Sequence, residues 1–146
     1  LEVLAHAVTG AGLAAGTVVV SVVDARRGEV FWAPFEAKGG TATQVGEDAL
    51  ASPEALAEAL AALARPCVLV GDGALRHAEM LGGVDGVELA GDGFAHPPVA
   101  TLAMLGRDRL AAGAVVEERA VTARYLRDAD VRINWETRQT RPGAAG

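Results

Sequence analysis

Apolar positions recur along this chain in short blocks whose spacing alternates between helical and strand-like periods. Leu1, Leu4 and Val8 fall on one side of a helix, and Gly10, Gly12 and Gly16 end it, because glycine reaches backbone conformations that stop a helix. Val18, Val19, Val20, Val22 and Val23 then form a β-branched run interrupted only by Ser21. A run without in/out alternation predicts a strand covered on both faces, in the middle of a sheet. Turn chemistry from Asp24 to Gly28 leads to Val30, Phe31, Trp32 and Phe35, which predicts a returning strand and so a β-hairpin. Pro34 has no N–H to donate, and a bulge or a shortened neighbour is expected beside it.

Lys38-Gly39-Gly40 predicts a second turn, and Thr41 to Val45 has the short polar character of an edge strand. Ser52-Pro53-Glu54 combines a hydroxyl cap, a proline at the first helical position and a carboxylate in the first turn, which predicts a helix start. Leu56, Leu60 and Leu63 mark its apolar face, and Arg65-Pro66 stops it. Cys67 to Val70 predicts a buried strand bounded by Gly71-Asp72-Gly73, followed by a helix over Leu75 to Leu81 and a last strand at Val87 to Leu89. Pro97 and Pro98 open a helix through Leu110, closed by Gly113. The predicted class is α/β, in the order β-β-β-α-β-α-β-α, with a hairpin first and right-handed parallel units after it. With the first strand between the second and the fourth, this mixed sheet resembles that of ribonuclease-H-like domains and of each lobe of actin-like ATPases. The chain divides into a leading helix and linker (1–16), a lobe (17–118) and a tail (119–146).

With 146 residues, 51% hydrophobic and 22% charged, the composition is that of one globular domain and excludes disorder as the main state. No apolar run approaches the ~20 residues that cross a bilayer, and no basic segment opens the chain, so neither a membrane contact nor a signal peptide is expected. Cys67 is the only cysteine, which excludes an internal disulfide framework and a cysteine-rich zinc site and fits a reducing, cytoplasmic setting. The net charge of −6 is unevenly spread: residues 1–118 hold 7 Lys and Arg against 16 Asp and Glu, whereas 119–146 hold 6 Arg against 3 acids. An acidic body argues against wrapping nucleic acid unaided, because that affinity comes mostly from neutralised phosphates.

The most distinctive stretch is Asp24-Ala25-Arg26-Arg27-Gly28-Glu29. Its structural reading is a turn ordered locally, with Asp24 accepting from backbone N–H groups and Gly28 at positive φ. Its functional reading is an anion or partner contact by Asp24, Arg26, Arg27 and Glu29, since guanidinium groups suit phosphate and carboxylate. Gly71-Asp72-Gly73 follows a strand and precedes a helix, the place where a phosphate could lie on a helix N-terminus. Asp72 would repel that phosphate, and the same residues are explained by a turn with Asp72 as N-cap. His6, His77 and His96 lack metal-ligand spacing, Ser21 lies within a strand, and Cys67 has no nearby histidine. No catalytic centre, metal site or cofactor is expected.

The hairpin Val22 to Phe31, the Val68-Leu69-Val70-Gly71-Asp72-Gly73 strand and turn, and the closing Tyr125-Leu126-Arg127 resemble the TsaB (YeaZ) family. That family is the actin-like, glycoprotease-homologue subunit of bacterial tRNA threonylcarbamoyladenosine modification. The resemblance spans about residues 1–130, and Leu1 to Ala5 is similar to the helix preceding the hairpin. It implies a non-catalytic scaffold supporting the TsaD subunit, which carries metal and nucleotide. Family members carry a further N-terminal lobe of about a hundred residues that makes most of the TsaD contact. A C-terminal lobe alone is therefore expected here, with TsaD binding dependent on the other lobe, and Gly71, Asp72 and Gly73 as a vestigial nucleotide-side loop. Alternatives from other classes are an actin-like nucleotide-binding enzyme, a peptidase-like protein, or a small-ligand regulatory α/β domain.

Two expectations concern surfaces. Without a covering lobe, the Leu1 to Val8 helix and part of the first sheet face should be exposed, and a homodimer is the simplest cover. In the tail, Tyr125 and Leu126 lie between Arg124 and Arg127, and Val131, Ile133 and Trp135 alternate with Arg132 and Asn134. This strip, with one apolar and one charged side, predicts that Val131 to Trp135 docks on this domain's own surface or on a neighbouring copy, with Tyr125 and Trp135 as the docking residues of the tail, rather than forming a tRNA-binding arm, and no direct tRNA binding by the chain alone is expected.

Overall fold

The computed structural model describes residues 1–63, 65–114, 117 and 120–121; Tyr125 and Trp135, and with them the tail expectation, lie outside the described residues. Strands β1 (Val18–Arg26) and β2 (Glu29–Lys38) form the predicted antiparallel hairpin. The second turn leads to β3 (Thr41–Gln44), the edge strand, which pairs with β2 from Phe35 to Lys38. A three-residue strand that the sequence pattern did not show, β4 (Ala49–Ala51), pairs with β2 at Val30 to Trp32. β5 (Cys67–Val70) runs parallel to β1, and β6 (Val87–Leu89) parallel to β5. The sheet order is β3-β2-β1-β5-β6, with β4 beside β2, so the first strand sits between the second and the Cys67 strand as its valine content requires.

Pro34 explains why the outer partner of β2 is broken in two. Its carbonyl accepts from Val45 N–H at 3.0 Å, so its hydrogen-bonding side faces the edge and not β1. The missing proline N–H leaves that edge without a donor, and β3 ends opposite Phe35 while β4 begins opposite Trp32.

The helices lie on both faces. α1 (Glu2–Gly10) lies on the face of Val19, Phe35, Ala42, Val68 and Val70, and α2 (Pro53–Leu63) covers Val18, Val20, Val22, Val30 and Leu69. Ser52 Oγ accepts the Ala55 N–H at 3.2 Å, capping α2 as the sequence predicts. The Glu54 carboxyl is held below the usual carboxylate range, first by a backbone hydrogen bond at Glu54 itself and then by the Ser52 hydroxyl. Burial pushes the Cys67 thiol up, which keeps it a neutral core side chain. The single helix predicted over Leu75 to Leu81 is instead two short ones, α3 (Asp72–Arg76) and α4 (Ala78–Leu81), broken at His77, whose φ of −111° and ψ of 27° leave the helical region. A 3-10 turn at Asp92–Phe94 precedes α5 (Val99–Ala111).

The expected bare face on the Leu1 to Val8 helix is corrected by the structure. Leu4, Ala5 and Val8 are buried, and Ser21 Oγ donates to the Leu1 carbonyl at 2.9 Å, which ties the start of α1 to the middle strand. Most of the exposed large apolar side chains among the described residues lie on α5, none of whose residues is buried, with Val45, Met80 and Val121 exposed elsewhere. Val99, Leu102 and Leu110 are exposed at helical spacing. Among the described residues, no helix is long and apolar enough to cross a membrane.

Candidate functional site

The hairpin turn and the Gly71-Asp72-Gly73 turn, 48 residues apart between Asp24 and Asp72, meet at the carboxyl ends of β1 and β5. In open α/β sheets that end is where ligands are bound. The local backbone explains the approach. Gly71 has φ +114°, and a Cβ on Gly73 would stand 2.8 Å from the Val23 carbonyl carbon and 2.9 Å from Asp24 N. Only residues without a side chain let these two segments come so close.

Asp24 organises what results. Its carboxylate is 8% exposed, and Oδ1 accepts the Arg26 N–H at 3.0 Å, as the structural reading of the hairpin expects. Oδ2 accepts from Arg76 at 3.1 Å and lies 3.5 Å from the Arg26 guanidinium. Asp24 N–H in turn donates to Asp72 Oδ1 at 3.1 Å. Asp72 is therefore not the N-cap of α3; that position belongs to Gly71, and the Asp72 carboxylate crosses to the neighbouring strand. The turn itself is unusual in residue type. Arg26 and Arg27 adopt φ +64° and +54°, followed by Gly28 at +78°, and the register slips between Asp24 and Arg26. Positive φ at both Arg27 and Gly28 is the two-residue hairpin pattern whose twist matches the strands. Holding Arg26 there costs about 1–2 kcal/mol for an L-residue, and the Asp24 bond to its N–H offsets part of it.

Arg76 is the member that sequence reasoning missed. The signal was present, because Asp72 and Arg76 are spaced i, i+4 and so share one face of α3. Arg27 lies in the turn and Glu29 follows it, and each takes part in interactions of its own. Chemically, the cluster is a set of charge-assisted hydrogen bonds within the protein, at both Asp24 oxygens, Asp72 Oδ1 and one Arg76 nitrogen. His6 Nδ1 lies 3.1 Å from the Glu2 carbonyl, His96 is exposed, and His77 Nε2 is buried without a partner among the described residues. Among the described residues, no three His, Cys, Asp or Glu groups are placed to hold a metal ion.

An expected outcome follows for this network. Asp24→Ala removes the acceptor for Arg26 N–H and should cost about 1–2 kcal/mol. Arg76 is 61% exposed, so a double-mutant cycle of Asp24→Ala with Arg76→Ala should give a coupling below about 1 kcal/mol. Urea denaturation of the four proteins measures both, and a coupling above 2 kcal/mol would mean that the pair, not the backbone bond, carries the site.

Neither a protein-family model nor a curated protein matches the chain. Solved structures do. One, described as an uncharacterized protein with similarity to peptidase YeaZ from Pseudomonas aeruginosa, aligns with a TM-score of 0.67 at 27% identity, covering 87% of this chain and 56% of that one. YeaZ from Pseudomonas aeruginosa aligns with a TM-score of 0.62 at 22% identity, covering 86% and 56%. The chain thus spans a little over half the length of these structures. The likeness supports the YeaZ-family resemblance seen in the hairpin and strand motifs, and with it the actin-like, ribonuclease-H-like fold.

Proposed function

We propose, from this likeness to YeaZ structures, that the lobe is a non-catalytic scaffold element of the tRNA threonylcarbamoyladenosine modification machinery, supporting a TsaD-like catalytic subunit. The observation that carries the reading is the engaged state of the hairpin end. An actin-like enzyme needs its acid and its turn amides open toward a phosphate, whereas here both Asp24 oxygens accept, Oδ1 from the Arg26 N–H and Oδ2 from Arg76, and Asp72 Oδ1 accepts the Asp24 N–H. In this reading the network holds the hairpin rigid, and Arg26, Arg27 and Glu29 present a fixed charged rim to a protein partner. A homodimer belongs to the same reading, with the apolar stripe of α5 as the surface it would cover.

The test is co-elution with a TsaD-like subunit on size exclusion. The chain joined to the N-terminal lobe of a solved relative should form the complex, and the chain alone should not. Stable co-elution of the chain alone would overturn the assignment of that contact to the other lobe. One neighbour's description contains the word peptidase; peptide or ATP turnover by the purified chain that is lost in Asp24→Ala would establish the enzyme reading instead.

A further inference from the structure

We draw no further inference here: the strongest candidate, the exposed apolar face of α5 at Val99, Leu102 and Leu110, carries none, because nothing in the structure shows what covers it.

Discussion

Gly71→Ala is expected to be among the most damaging single substitutions in the domain, at about 3–5 kcal/mol. Two costs add. The φ of +114° with ψ of 165° is a backbone region that only glycine occupies readily, worth about 1–3 kcal/mol for another residue. The new Cβ would also press on the Val22 carbonyl, a backbone atom of the central strand that cannot rotate away, and on Leu4 Cδ1 at 3.2 Å. A domain with a typical stability of about 5–15 kcal/mol would be left marginal. Urea unfolding at constant m-value measures the loss. A cost under about 1 kcal/mol would show that β1 and the Gly71 turn do not approach as described.

Leu4→Ala should cost about 3 kcal/mol, within the 2–5 of large-to-small changes at fully buried sites. Leu4 is 0% exposed, faces the Gly71 turn, and packs with Ala5, Val8, Val19 and Phe35. The substitution decides whether α1 belongs to the core of this lobe or is a loosely attached leader. Thermal unfolding gives the answer, and a change within about 0.5 kcal/mol, the range of surface substitutions, would contradict the burial of α1.

The strands and their order were legible because the valine run and the Cys67 to Val70 block are covered on both faces and leave no alternation to misread. β4 was not legible, since Ala49-Leu50-Ala51 has no strand propensity of its own and forms because β2 has an unpaired edge beyond Pro34. The break at His77 was not legible either, since no glycine or proline marks it in the sequence. Both halves of the candidate site were visible as motifs, yet their union was not, because the Asp24 to Asp72 bond depends on two glycines that admit a close backbone approach. The expected exposure of α1 failed for a related reason. Its apolar face was read as waiting for another lobe, whereas the second face of the same sheet was there to receive it.

The central claim, that this lobe supports a modification reaction without performing it, is tested most directly by reconstituted threonylcarbamoylation of tRNA. The assay combines a TsaD-like subunit with the chain fused to the N-terminal lobe of a solved relative, and compares it with the same fusion carrying Asp24→Ala, well below the melting temperature of both. A positioned acid or base contributes about 10²–10⁴-fold to a rate. The account predicts a rate within about threefold of the unsubstituted fusion, as for a group that only holds its own hairpin. A loss of about a hundredfold or more, with the fold and the complex intact, would contradict it.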